Sequence, residues 1–93
     1  MLTFNLKKKW FEKIKCGEKT HEYRVFNRYW AKRLLVGVNN QFCVFCMGYP
    51  KRDDKDKRIL AKILECSIID GRETDLEVDR IVFDIHFELV KEA

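Results

Sequence analysis

The sequence predicts a small α+β fold that is mainly β, with about five strands and two helices in the N-terminal half. Short segments that alternate apolar and polar residues favour strands, and two early segments with apolar residues four apart favour helices. Phe, Tyr and Trp make up 13% of the 93 residues, which excludes a disordered chain. So short a chain supports one hydrophobic core, and we expect a single domain over residues 1–93.

The first half of the chain predicts two strands, each followed by a helix. Residues 2–6 alternate in polarity and predict a strand. Trp10 and Ile14 lie four apart on the apolar stripe of a helix that follows. Residues 19–25 predict a second strand, and Asn27 has the side chain to cap a second helix.

The second half predicts three further strands. Residues 42–47 are apolar on both faces, which is typical of a central strand. Residues 59–69 fit a helix or a strand by pattern, but their β-branched content and the Asp70-Gly71 turn favour a strand. Residues 81–89 alternate and predict a strand with one buried face. A sheet of this size tends to curl into a small barrel, because closure removes exposed edges.

Positive charge is concentrated near the N-terminus, although the whole chain carries only +4. Residues 1–33 hold ten Lys or Arg and three Glu, whereas residues 34–93 hold nine basic and twelve acidic residues. A focused positive face attracts phosphate groups, and the alternative is a solvated helix face. The candidate phosphate-contacting residues are Lys7, Lys8, Arg28, Lys32 and Arg33.

Two patterns have metal-ligand chemistry, but neither leads us to expect a metal or any other cofactor. Cys43 and Cys46 have the spacing of half a zinc knuckle, yet residues three apart on a strand point to opposite faces. Asp84, His86 and Glu88 would share one strand face, but ordinary alternation also produces such a triplet. We expect the four cysteines to be small packing residues.

The charged segment from Gly17 to Arg24 is the strongest candidate site. Glu22 and Arg24 share one strand face, roughly 6.5–7 Å apart at the backbone, within reach of one bound group. Arg offers a fork of donors, Glu can accept from an amine or activate a water, and Lys19 can stabilise negative charge. The alternative is a structural ion-pair network that holds the strand in place.

Aromatic residues and one histidine complete the candidate set. Tyr49 follows a glycine in a predicted loop, where its ring can stack on a base or fold back over the core. Tyr23 and Trp30 are expected in the core. His21 lies on the opposite strand face from Glu22, so we expect it to pack beneath the site.

The spacing Gly17-x-Lys19-x-x-Glu22-x-Arg24 resembles the G-x-K-x-x-E-x-R signature of the ASCH domain family, a branch of the PUA-like superfamily. The likeness extends over residues 3–51 and includes the helices on either side of the motif and the loop that carries Tyr49. This resemblance implies a small PUA-like β-barrel with a cleft at the signature. It also implies Lys19, Glu22 and Arg24 as ligand-binding residues.

The resemblance implies binding of RNA or a nucleotide, with single-stranded or modified RNA favoured because exposed bases can enter a small pocket. The alternative is a small hydrolase of the ribonuclease or amidohydrolase type, in which Lys19 and Glu22 are catalytic. The amidohydrolase branch carries a Thr where this chain has Glu22, so we do not transfer that activity. A third possibility is a module that binds an acidic protein partner.

No apolar run approaches the roughly 18 residues of a membrane span, and we expect a cytoplasmic protein without membrane contact.

Overall fold

A computed structural model describes residues 1–91, which form five strands and two α-helices. The predicted class, mainly β with both helices in the first half, is confirmed. The strands are β1 (Leu2–Leu6), β2 (His21–Val25), β3 (Phe42–Met47), β4 (Arg58–Asp70) and β5 (Ile81–Leu89). The helices are α1 (Lys8–Lys15) and α2 (Arg28–Leu34), with single turns of 3-10 helix at Lys55–Lys57 and Gly71–Glu73.

Local sequence signals mark the end of α1 and the beginning of α2. In α1, Phe11 and Ile14 are buried on the apolar stripe. Gly17 follows the end of α1 with φ of +84°, a conformation that favours glycine. Asn27 caps α2, because its side-chain oxygen accepts a hydrogen bond from the Trp30 amide at 2.9 Å. Both predicted helix boundaries are therefore confirmed.

The five strands form one sheet in the order β1-β3-β4-β5-β2. β1 runs parallel to β3, and the other neighbouring strands are antiparallel. A shift in register between Ile63 and Glu65 of β4 adds a bulge, which bends a sheet. The sheet curls into a half-barrel whose edges are β1 and β2. β1 and β2 are not paired with each other as neighbouring strands of the sheet. A side-chain hydrogen bond links them, in which Arg24 Nη2 donates to the Asn5 carbonyl at 3.1 Å.

The hydrophobic core fills the concave side of the half-barrel, between the sheet and the helices. Phe83, Ile85 and Phe87 of β5 face it, as their alternation predicts. Ile81 departs from that pattern: it is 52% exposed, while its neighbour Val82 is fully buried. Ile81 is the first residue of the strand. The other fully enclosed large side chains include Phe4, Phe11, Phe45, Ile14 and Ile63.

Candidate functional site

β2 brings the predicted charged residues to the open edge of the half-barrel. Glu22 lies opposite Ile85 and Arg24 opposite Phe83 in the β2–β5 ladder. Both charged side chains therefore share the concave face with core residues. Lys19 precedes the strand and reaches the same place, since its Nζ atom is 3.7 Å from Glu22 Oε1.

Lys19, Glu22 and Arg24 form one ion-pair network. Glu22 Oε2 accepts hydrogen bonds from Arg24 Nη2 at 2.7 Å and from Arg24 Nε at 3.2 Å. The Lys19 and Glu22 side chains are only 9% and 8% exposed. Within residues 1–91, Glu22 is the one charged residue that is buried. Buried charges need partners, so Lys19 and Arg24 stabilise the buried Glu22 carboxylate.

Asp75 is the member of the network that sequence reasoning missed. Its Oδ2 atom lies 2.5 Å from Lys19 Nζ, although 56 residues separate the two in the chain. Asp75 follows the second 3-10 turn, in a loop closed by a hydrogen bond from the Gly71 amide to the Arg80 carbonyl at 2.7 Å. No local pattern in the sequence distinguishes Asp75 from the other carboxylates, because only the fold of this loop brings it to Lys19.

The network lines an open cavity of about 460 Å³ between β1, β2, α1 and α2, which we call the seam cavity. Three aromatic rings also line it, those of Trp10, Tyr23 and Trp30. Lys19 Nζ lies 5.0 Å from the ring centroids of both Trp10 and Tyr23. Arg24 lies 5.1 Å from the Trp30 ring centroid. The site thus combines charged groups with flat apolar walls.

Of the two aromatic residues that the sequence predicts in the core, Trp30 agrees with the prediction and Tyr23 does not. Tyr23 is only half-buried and lines the cavity wall, with its ring centroid 5.0 Å from Lys19 Nζ. Burial raises the pKa of Tyr23 above its usual 10, and the Asp84 and Asp75 carboxylates raise it further. Its phenol therefore remains a neutral hydrogen-bond donor. Trp30 does pack against the core, and its ring stacks on Phe4 at 5.2 Å.

Tyr49 is exposed on an ordered loop. Its side chain is 91% exposed, so the alternative in which the ring folds over the core is wrong. Asn5 Nδ2 donates to the Gly48 carbonyl at 2.7 Å, and Arg58 donates to the Pro50 carbonyl at 3.1 Å. These bonds hold both ends of the segment that presents Tyr49. The ring is outside the seam cavity and offers a separate flat surface.

The predicted phosphate-contacting residues lie on or beside the helices that border the cavity. Lys7 lines the cavity, and Lys8, Arg28 and Lys32 are exposed. Arg33 does not point towards the cavity. It lies 3.5 Å from the Tyr29 ring centroid and donates to the Tyr29 carbonyl.

His21 lies on the convex face, where its Nδ1 atom is 2.6 Å from Asp84 Oδ1 and its ring stacks on His86 at 4.4 Å. The predicted face, opposite that of Glu22, is confirmed, but the side chain is 37% exposed and is not packed beneath the site. No three His, Cys, Asp or Glu side chains among residues 1–91 are arranged to hold a metal ion.

Comparisons with known proteins do not identify a family for this chain. No protein-family model matches it, and no curated protein matches it either. Among residues 1–91, no helix has the length and apolar character that crossing a bilayer requires. The functional interpretation therefore depends on the residues and geometry of the seam cavity.

Proposed function

We propose that this protein is an RNA- or nucleotide-binding domain of the ASCH type. A base enters the seam cavity, where Lys19, Glu22 and Arg24 contact its polar edge. The exposed basic residues of α1 and α2 contact the phosphates outside, and Tyr49 stacks on a neighbouring base. The carrying observation is the convergence of the three signature side chains on one aromatic-lined cavity at the edge of the sheet.

Two of the three cations that line the cavity are already paired with carboxylates, which favours a base over a phosphate as its occupant. Lys19 and Arg24 face the carboxylates of Glu22 and Asp75, and Lys7 is the third lining cation. A phosphate would have to displace Asp75 from Lys19. A nucleobase is neutral and planar, and its edge carries both donors and acceptors that such mixed groups can pair with.

The size and walls of the cavity also favour an unpaired base. A volume of about 460 Å³ lies within the range of about 300–1,000 Å³ that is typical of small-molecule sites. Stacking on aromatic rings and hydrogen bonding to base edges are the usual means of recognising single-stranded RNA. Bases within a duplex cannot enter such a cavity without leaving their stack.

Hydrolysis has less support from this geometry. A general base must accept a proton from a water, and Glu22 Oε2 already accepts two hydrogen bonds from Arg24. The remaining oxygen, Oε1, lies 3.7 Å from Lys19 Nζ. The carboxylate is thus better placed to accept a hydrogen bond from a bound base than to activate a water.

Titration with a mixed-sequence single-stranded RNA tests the proposal, with fluorescence of the cavity tryptophans or calorimetry as the readout. We expect binding that weakens steeply between about 50 and 200 mM salt, because phosphate contacts release counterions. The matching duplex should bind more weakly. Lys19→Met should reduce affinity at least about tenfold, since a charged hydrogen bond contributes about 1.5–3 kcal/mol.

Lys91→Met is the matched control, because Lys91 is exposed and outside the seam cavity. It removes the same charge and should change affinity less than about twofold. Equal effects of the two variants would mean that only overall charge matters. Absence of RNA binding at low salt would overturn the proposal, and binding that ignores salt would contradict the phosphate contacts.

A further inference from the structure

A second cavity of about 400 Å³ borders the seam cavity; we call it the outer cavity. Trp10, Lys19, Tyr23 and Asp75 line both cavities. These side chains therefore form a common wall between two neighbouring spaces. Of the motif residues, Glu22 and Arg24 line the seam cavity alone and Lys19 lines both. The proposed base-binding role leaves the outer cavity without an occupant.

The common wall is held in place by several contacts. The ion pair of Lys19 with Asp75 is its polar part, at 2.5 Å between Nζ and Oδ2. The Trp10 and Tyr23 rings each lie 5.0 Å from Lys19 Nζ, so the ammonium group sits between two aromatic side chains. A planar guest in either cavity would have aromatic surface beside it and the same ion pair within reach.

The outer cavity has its own recognition group in His21. Its Nδ1 atom is engaged with Asp84 Oδ1 at 2.6 Å, which leaves Nε2 as the ring nitrogen available to a guest. Stacking on His86, with the ring planes 6° apart, fixes the orientation of the imidazole. His21 is therefore a preorganised hydrogen-bonding group on the wall of this cavity.

Charge again favours a base over a phosphate. The outer cavity is lined by two lysines and three carboxylates. Both lysines are already near a carboxylate, since Lys13 Nζ lies 3.9 Å from Glu18 Oε1 and Lys19 Nζ lies 2.5 Å from Asp75 Oδ2. The three carboxylates are those of Glu18, Glu73 and Asp75. An excess of carboxylates repels a phosphate but accepts hydrogen bonds from the amino and imino groups of a base.

We infer that the ligand is a single strand of at least two consecutive nucleotides, with one base in each cavity and the Lys19–Asp75 pair between them. This inference rests on the proposed function and adds to it a binding site for a second base, the outer cavity. The strand passes over the common wall with its phosphate in solvent, where the exposed lysines of α1 can reach it. His21 contacts the second base.

Calorimetric titration with a mononucleotide, the corresponding dinucleotide and a tetranucleotide tests the inference. We expect affinity to rise at least about fivefold from mononucleotide to dinucleotide, because stacking of a second base contributes at least that much. Lengthening the ligand from a dinucleotide to a tetranucleotide should raise the affinity by a smaller factor. In His21→Ala the ratio of dinucleotide to mononucleotide affinity should fall towards one.

Gln41→Ala is the control, because Gln41 is an exposed neutral residue that lines neither cavity, and its ratio of dinucleotide to mononucleotide affinity should stay close to that of the unmodified protein. Thr20→Phe is a second test variant, at an exposed position that lines the outer cavity. The larger side chain should fill the outer cavity and so abolish the rise in affinity from mononucleotide to dinucleotide. Thermal melting of each variant checks the fold.

The outcomes separate the inference from the proposed function. Mononucleotide and dinucleotide binding with equal affinity would overturn the inference and leave the proposed function intact. A ratio of dinucleotide to mononucleotide affinity that is unchanged in both His21→Ala and Thr20→Phe would also overturn the inference, because the second base would then bind elsewhere. Failure of all three ligands and of longer RNA to bind would refute the proposed function itself.

Discussion

Replacing Arg24 by methionine tests whether the ion-pair network stabilises the fold as well as shaping the cavity. The substitution removes two hydrogen bonds to Glu22 and the bond to the Asn5 carbonyl that links the edge strands. Glu22, with its side chain 8% exposed, keeps only Lys19 at 3.7 Å as a neighbouring cation. A buried carboxylate without a close partner is costly.

The expected loss of stability is about 2–3 kcal/mol. Removing one partner of a buried ion pair costs about 3–5 kcal/mol. Two features reduce this cost: Lys19 remains near the carboxylate, and the methionine side chain can retain contact with Phe4 and Trp30, over which Arg24 lies. A chain of this length has a total stability of about 5–14 kcal/mol, so the variant should remain folded.

Urea unfolding followed by tryptophan fluorescence at neutral pH measures this change, and the melting temperature should fall by roughly 10–20 °C. Glu22→Gln is the companion variant and should cost less, about 1–2 kcal/mol, because the amide oxygen still accepts from Arg24. The double variant should be more stable than the sum of the single changes predicts, by about 1 kcal/mol or more. An Arg24→Met protein as stable as the original, or additive losses within about 0.5 kcal/mol, would refute this reasoning.

Three further predictions concern the thiols, the exposed tyrosine and the loop carboxylate. Iodoacetamide at pH 8 should alkylate the exposed Cys16, whereas Cys43 should react only after urea is added, because burial raises its pKa to about 12; equal labelling rates by mass spectrometry would contradict this. Tyr49→Ala should leave the melting temperature unchanged, since the ring is 91% exposed, and should lower RNA affinity at least about fivefold if the ring stacks on a base; a loss of stability with unchanged affinity would show a packing role instead. Asp75→Asn should strengthen the binding of inorganic phosphate at low salt several-fold, because it releases Lys19 from its ion pair. Asp79→Asn is the control and should have little effect, because the Asp79 side chain is 92% exposed. Equal effects of the two variants would mean that only net charge matters.

The parts of the fold that follow from local patterns could be predicted from the sequence. The alternation of residues 81–89 and the four-residue spacing of Trp10 and Ile14 determine which face of each element is apolar. The cap at Asn27 and the turn at Gly17 also act within a few residues. Hydrophobic periodicity and capping depend on residues that are close in the chain. The local sequence is therefore enough to predict the apolar face of these elements and the two helix boundaries.

The candidate site could be predicted only in part. Glu22 and Arg24 are two apart on one strand, and their shared face follows from the geometry of any strand. Whether that face meets solvent or the core depends on the position of β2 in the sheet. Because β2 is an edge strand beside β5, the two side chains lie over the core and yet reach an open cavity.

The sequence alone determined the class of fold, the approximate extent of its elements and the shared face of Glu22 and Arg24 on β2, because periodicity, capping and strand alternation are short-range properties. Only the tertiary structure decided that Asp75 closes on Lys19, that Asp84 holds His21 and that Arg24 bridges to Asn5. These partners lie 56, 63 and 19 residues apart in the chain. Their meeting depends on strand order and loop path, which the packing of the whole core selects among many arrangements with the same local pattern.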